Sequence, residues 1–298
     1  MYCLIDEKLP QWKGNLHTHT RNSDGRKEAA DVVKLYEEAG YDFLALTDHR
    51  KVTDPAQFDT SMLLIPGIEL DYFITNRHRQ AVHLVGVGVE KDIMDFPGIM
   101  ENPENGIRAV LSQQGAVILA HPAWSLNEPD VIARLKDRGV CATEIFNNVS
   151  QPPWNADRAD SSSILDLCNG DGCCLPVVGG DDAHFYNGDA CGAFLMISAE
   201  TLSQESVLDA LKNGRVYASQ GPRIESAVLE NGVFTVRCSP AEQIIFYSNM
   251  PWVGGRCRRE HHMTESSYEL NLEKETFIRA EITDAQGRKA WTSPIQLK

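Results

Sequence analysis

The sequence is short of positive charge. Its 28 lysines and arginines face 42 aspartates and glutamates, a net charge of −14 over 298 residues. A grip on long nucleic acid needs a basic face, so no such partner is expected. A small phosphorylated substrate stays open, because bound divalent metals reverse the local sign. Long apolar runs are missing too. No stretch approaches the roughly 20 residues of a membrane span, and no membrane partner is expected. The first 16 residues contain Asp6, Glu7, Lys8 and Pro10 and lack the apolar centre of a signal peptide. Eight cysteines are scattered with no C-x-x-C pair, Cys173 and Cys174 being adjacent. That pattern reads as free thiols in a reducing cytoplasm rather than a disulfide framework. There is no G-x-S-x-G elbow, and Gly179-Gly180 lacks the Gly-Lys-Ser/Thr end of a phosphate-binding loop. Nothing resembles an internal repeat or a low-complexity tract.

What is there suits a globular chain of one large domain, or one medium and one small. At 42% hydrophobic and 23% charged, it can bury a sizeable core. Short apolar runs at 16–20, 43–47, 62–70, 82–89, 116–120, 142–146, 176–179 and 193–197 read as strands. Helical patterns lie between many of them, at 27–39, 107–114, 127–139, 161–168 and 204–212, with Gly40, Gly115, Gly139 and Gly214 as stops. Alternation of this kind implies a mostly parallel sheet with helices outside it. Seven or so units suggest a barrel related to the TIM type, whose functional residues gather at the C-terminal ends of the strands. After Gly221-Pro222 the helical periodicity stops. Strands are expected at 224–229, 233–238, 243–247, 268–272 and 276–282, with Asn231-Gly232 as a hairpin turn. Residues 1–221 are therefore taken as an α/β domain and 222–298 as a small β-sandwich.

The polar residues at the strand ends carry the chemistry. His17 and His19 are two apart on a strand and share a face. Asp24 follows in Ser23-Asp24-Gly25, as a ligand or as the cap of the next helix. His49 closes Thr47-Asp48-His49, and Glu69 closes an apolar strand. His83 opens His83-Leu84-Val85-Gly86, and His121 follows the run 117–120. Asp181-Asp182-Ala183-His184 follows the last such strand; Asp182 is two from His184 and shares its face, whereas Asp181 is three away and points elsewhere. Six of the nine histidines thus lie at or beside expected strand ends, with carboxylates among them. In a barrel those ends surround one mouth, which makes a metal site.

This motif set, with His121-Pro122 and Pro66-Gly67-Ile68-Glu69, resembles the PHP (polymerase and histidinol phosphatase) metal-dependent phosphoesterases over roughly residues 14–221. The resemblance implies a distorted (β/α)7 barrel with metals at its C-terminal mouth. It implies a first metal on His17, His19, Glu69 and Asp182, and a second on Asp24, His49 and His184. A third would be bridged by Glu69 and completed by His83 and His121. Asp24 stands where many three-metal relatives have histidine. Asp24, His49, Glu69 and His184 are taken as the residues closest to catalysis. The tail after 222 resembles the small β-domain appended to some members.

Imidazole and carboxylate without thiolate suit zinc, manganese or iron better than magnesium or calcium, so two or three such divalent ions are the expected cofactors. The expected reaction is hydrolysis of a phosphate ester of a small metabolite or nucleotide by metal-activated water. The alternatives are hydrolysis of a carbamate, ester or amide, cleavage of short single strands, and a non-catalytic module. Arg21, Arg50, Arg77, Arg79 and Arg158 lie on expected loops near the motifs, as phosphate cations or as solvated surface. Trp124 and Trp154 lie on such loops too, to stack on a ring or to pack locally.

Overall fold

The computed structural model describes residues 1–74 and 80–298. Arg77 and Arg79 lie outside the described residues. The strands of the first part are β1 (Tyr2–Ile5), β2 (Gln11–Asn15), β3 (Phe43–Leu46), β4 (Leu63–Ile74), β5 (Gln80–Val87), β6 (Ala116–Leu119), β7 (Ala142–Asn147), β8 (Val177–Gly180), β9 (Phe194–Ser198) and β10 (Val216–Ser219). The helices are α1 (Ala29–Glu38), α2 (Pro103–Ser112), α3 (Pro129–Arg138), α4 (Ser162–Gly170) and α5 (Gln204–Asn213). Their ends have local causes. Asn102 caps α2 by accepting from the Asn105 N–H, with Pro103 behind it, and Ser203 with Ser206 forms a reciprocal capping box on α5. Helix α3 starts at Pro129 and stops at a left-handed Gly139.

These elements form a mixed α/β structure around a central sheet. Neighbouring strands run β9-β2-β3-β4-β5-β6-β7-β8. The pairs β2/β3, β3/β4, β6/β7 and β7/β8 are parallel, whereas β9/β2, β4/β5 and β5/β6 are antiparallel. The expected mostly parallel sheet is corrected here to a mixed one. The cause is the link between β4 and β5: a parallel crossover needs a dozen residues or more, and only five separate these strands, so they pair as a hairpin. At the far end of the path, Thr18 and Ala183 form a parallel bridge, bringing the chain beyond β2 against the chain beyond β8. Leu16, just beyond β2, and Phe43, Ile65, Val85, Ile118 and Val178 from these strands fall in one buried cluster with Val207 and Leu211 of α5.

The remaining strands are β11 (Ile224–Glu230), β12 (Val233–Tyr247), β13 (Cys257–Glu269), β14 (Phe277–Thr283), β15 (Lys289–Thr292) and β16 (Ile295–Gln296). The two strands expected at 233–238 and 243–247 are one bent strand, β12. It pairs with β11 through its first half and with β14 through its second, with register shifts around Pro240. This part is not separated from the first: β15 pairs with β10, and β1 pairs with β11, so one hydrogen-bonded path runs through the chain. Trp291 of β15 is fully buried and stacks on Phe146 of β7 at 5.5 Å between centroids. Arg279 of β14, also buried, makes two hydrogen bonds to Asp166 of α4 (2.7 and 2.6 Å) and lies over the Tyr247 ring. No helix among the described residues is long and apolar enough to cross a membrane.

Candidate metal centre

The chain leaving β2 carries His17 and His19 in extended backbone. Ladder-like bonds tie it on both sides. The Thr47 N–H donates to Thr18 O (2.9 Å), the His19 N–H to Ala183 O (3.1 Å), and the Asp182 N–H to His17 O (2.9 Å). Both rings therefore project to one side and are buried. On the next strand pair, His49 and Glu69 form a parallel bridge. Glu69 and His83 lie within β4 and β5 rather than at their ends, because the hairpin runs on past β3. His121 follows β6, and Asp182 and His184 follow β8.

The side chains converge. His17 Nε2 lies 3.3 Å from Glu69 Oε2 and 3.2 Å from Asp182 Oδ1; His19 Nε2 lies 3.0 Å from each of the same two oxygens. His83 Nδ1 is 2.9 Å and His121 Nε2 3.6 Å from Glu69 Oε1. Asp24, half exposed, lies 3.6 Å from His19 Nδ1, 3.7 Å from His49 Nε2 and 3.5 Å from His184 Nε2. Three groups result: His17, His19, Glu69 and Asp182; His19, Asp24, His49 and His184; and Glu69, His83 and His121. In each, one ligand atom per residue lies within 4.8 Å of the others. All nine candidate ligands fall in these groups, with His19 and Glu69 counted twice. Asp24 does not cap α1, whose first turn has Glu28 at its cap position.

A divalent cation fits this donor set. His17 Nε2, both ring nitrogens of His19, His49 Nδ1 and Asp182 Oδ1 are buried without a hydrogen-bond partner. Leaving so many buried polar atoms unsatisfied is costly unless something else meets them. Ligands about 2.1 Å from a tetrahedral ion sit about 3.4 Å apart, within the spread of separations seen here. The charges agree. Burial works against the Glu69, Asp182 and Asp24 anions, yet the surrounding imidazoles hold all three carboxyls well below the usual carboxylate range. Burial likewise lowers the His184 imidazole, but Asp182 and Asp24 outweigh it and raise it to about 9. The carboxylates are thus ionised at neutral pH, and in the metal-free chain a proton competes with metal for the His184 imidazole.

Several residues hold the ligands in place, and of these Glu144, Asp71 and Ser125 were missed in the sequence. Glu144, inside β7, accepts a hydrogen bond from His17 Nδ1 at 2.8 Å, the arrangement that would turn Nε2 towards a metal. Its other oxygen accepts from the His121 N–H (2.9 Å) and Asn147 Nδ2 (2.8 Å). Gly180 makes the room, since an added Cβ would lie 2.1 Å from Glu144 Oε1. Asp71, two residues beyond Glu69, lies 3.5 Å from His49 Nδ1 and is itself held by Arg50 (2.9 and 2.7 Å). His49 and Arg50 keep its carboxyl at about 2 despite burial. Ser125 Oγ meets His121 Nδ1 at 2.9 Å. Asp48 binds the Thr20 N–H (2.8 Å) and Ser23 Oγ (2.8 Å), fixing the loop that presents Asp24. Asp181 turns away to accept from Asn15, Tyr36 and the N–H groups of Cys191, Gly192 and Ala193. Arg50, His121 and Asp182 hold positive φ (56°, 32° and 52°), strain that persists where surroundings over-determine a site.

The candidate cations are differently placed. Arg21 is spent on Glu28 and on the Arg26 carbonyl, and Arg50 on Asp71. Arg158 is exposed.

No protein-family model matches the sequence, nor does any curated protein. Among solved structures, the chain superposes on a two-domain protein from Bacteroides vulgatus containing a predicted PHP-like metal-dependent phosphoesterase. The TM-score is 0.57 at 15% identity, covering 98% of this chain and 96% of that one. The two share a fold. The resemblance seen in the motifs holds at that level, through the β-rich C-terminal part as well. An amidohydrolase from Chromobacterium violaceum, with bound sulfate and no metal, overlaps at TM-score 0.45 and 16% identity, over 59% of this chain and 89% of that one.

Proposed function

We propose that the chain is a metal-dependent phosphoesterase that hydrolyses a phosphate ester of a small metabolite or nucleotide. The observation that carries this reading is the convergence of six imidazoles and three carboxylates, several with buried and unpartnered ligand atoms, beside an open pocket. Residues 1–221 are read as the distorted barrel that presents this site, and 222–298 as a small β-sandwich behind it. His17, His19, Glu69 and Asp182 would hold one ion, Asp24, His49 and His184 a second, and Glu69, His83 and His121 a third. Zinc, manganese or iron suits such donors. Bound ions of this kind lower the pKa of a coordinated water towards about 7 and neutralise phosphoryl charge. The chain's own part is to orient and to exclude. Glu144 and Asp71 set the rings of His17 and His49, and Asp24, His49, Glu69 and His184 face the space where the ester would lie. No serine or cysteine nucleophile is required.

A second reading, hydrolysis of a carbamate, ester or amide, has one observation in its favour: among the described residues, no lysine or arginine lines the pocket. Phosphate release from aryl phosphates and nucleoside monophosphates separates the two, run with manganese or zinc, with chelator, and on His19→Ala. We expect chelator-sensitive release that falls at least 100-fold in His19→Ala. Silence on every phosphate by protein shown to carry its metals, with turnover of carbamates or carboxylic esters, would replace the first reading by the second.

A further inference from the structure

Part of the lining of the pocket that holds the ligands is aromatic. Trp124, Trp154 and Phe185 share the lining with Val149 and with His83, His121 and His184 among others. Core packing does not account for the three rings. Each is partly exposed, and none belongs to a buried apolar cluster of the protein. They are nevertheless fixed. Trp124 stands edge-on to His121 (4.9 Å) and His83 (5.7 Å). Trp154 Nε1 donates to Asn187 Oδ1 at 2.6 Å, and Gly188 lies so near the indole that a Cβ there would come within 3.4 Å. The Arg26 guanidinium covers one face of Phe185 at 4.7 Å from its centroid. The cavity holds about 230 Å³, below the roughly 300–1,000 Å³ of sites for drug-sized ligands.

We infer that the substrate is an ester of one flat, weakly polar ring, which lies against Trp154 and Phe185 while its scissile group faces the metal ligands. This rests on the phosphoesterase reading for the bond that is cleaved, but not for the ring. A small volume admits one ring and disfavours extended chains. Rigid aromatic walls reward stacking without ordering cost. The absence of lysine and arginine from the lining among the described residues leaves a second anionic group on the substrate without a partner there. Sugar phosphates and bisphosphates are thereby disfavoured.

The test compares phenyl with methyl analogues on the metal-loaded full-length protein. Phenylphosphonate and methylphosphonate binding is measured by calorimetry, and hydrolysis of phenyl and methyl acetate by product release. Wild type, Trp154→Ala and Trp154→Phe are compared, each with its metal content checked. Stacking on an aromatic side chain is worth about 1–3 kcal/mol, so phenylphosphonate should bind at least about fivefold tighter than methylphosphonate. That ratio should fall below threefold in Trp154→Ala and survive in Trp154→Phe. Equal binding of the two phosphonates together with an acetate rate ratio that Trp154→Ala does not change overturns the inference, as does a phenyl preference in binding that Trp154→Ala leaves intact. A Trp154-dependent phenyl preference seen only with the acetates keeps the ring and overturns the phosphoesterase reading. Phosphate release from methyl and phenyl phosphate, measured on the same three proteins, in a rate ratio that Trp154→Ala leaves unchanged keeps the phosphoesterase and removes the ring.

Discussion

Glu144 separates a ligand's position from its chemistry. It touches no substrate space; it accepts from His17 Nδ1 and from the His121 N–H, so one carboxylate sets a ligand of the first group and the backbone of a ligand of the third. Glu144→Gln keeps the shape but loses the charge that favours the Nδ1–H tautomer. Outer hydrogen bonds of this kind are worth about 10–100-fold in metal affinity. We expect a loss of that size in a metal titration, with the fold unchanged by circular dichroism. An unaltered affinity would mean that His17 needs no orientation. Protons give a second handle. His184, lifted to about 9 against an ordinary 6.5, carries a proton in the metal-free chain at neutral pH. A folded pKa above the unfolded one contributes stability that is full below about 6.5 and lost as pH rises through 9. Metal-free protein should therefore melt at lower temperature at pH 9.5 than at pH 6.5 in the part of the curve this group controls. Metal binding should release protons at pH 7 and fewer at pH 9.5, measured by calorimetry in buffers of different ionisation enthalpy. Equal release at both pH values would contradict the arrangement. Much of the cluster was legible at this scale: His17 and His19 share a face because they are two residues apart, while Asp182 and His184 both reach the cluster although Asp182 does so from a left-handed backbone, not the extended one that the spacing assumed. Glu144 and Asp71 were not legible as supports. A carboxylate within the run 142–147 announces burial but not which ring it meets, and that depends on β7 lying beside β8.

The elements were read more easily than their directions. All five helices fall where periodicity and stop residues put them, to within a few residues at each end, because α2, α3 and α5 carry their own caps and apolar faces. Strands β3 to β9 were found because they are mostly apolar runs, whereas β1 was not expected and the first expected strand, at 16–20, lies just beyond β2. The β4–β5 hairpin was not found, although the missing helix between residues 70 and 82 was a usable sign: a link too short for a crossover leaves only an antiparallel return. That hairpin matters to the site. It places Glu69 and His83 on paired strands, with Asp71 opposite His83, so three of the polar residues of the candidate metal centre are set by one register. In the tail, β13 was caught only at its end. Its sequence, Cys257–Glu269, has charged and polar residues facing solvent along most of its length, and an exposed strand lacks the apolar alternation that would reveal it. Strands β10 and β15 were missed for another reason. Each is only four residues long and too short for periodicity to speak.

For the molecule as a whole, the question is how firmly the β-rich tail is joined to the part that bears the site. The tail shares a sheet with it through β10 and β15, and Trp291 stacks on Phe146, two residues from Glu144. The most polar connection is Arg279 to Asp166. Arg279 is buried (1% exposed), its guanidinium forked onto the Asp166 carboxylate and lying over Tyr247. Buried ion pairs contribute little compared with apolar packing of the same volume, but losing one partner strands a charge, at a cost of about 3–5 kcal/mol. Asp166 keeps some access to water, so the lower end applies. Asp166→Ala should destabilise the metal-free protein by about 3 kcal/mol in urea denaturation. Arg279→Met in the same chain should recover most of that loss, because no charge is then left without a partner. If the double variant is as unstable as Asp166→Ala, the stranded charge is not the cause, and the pair acts by packing the tail onto α4. If Asp166→Ala is neutral, the two parts are held by the shared sheet and the Trp291–Phe146 stack alone. The metal titration, repeated on the double variant, then reads whether support from the tail reaches the site: an affinity equal to wild type would confine Arg279 and Asp166 to holding the two parts together, and a fall would show that β7 and its Glu144 depend on what lies behind them.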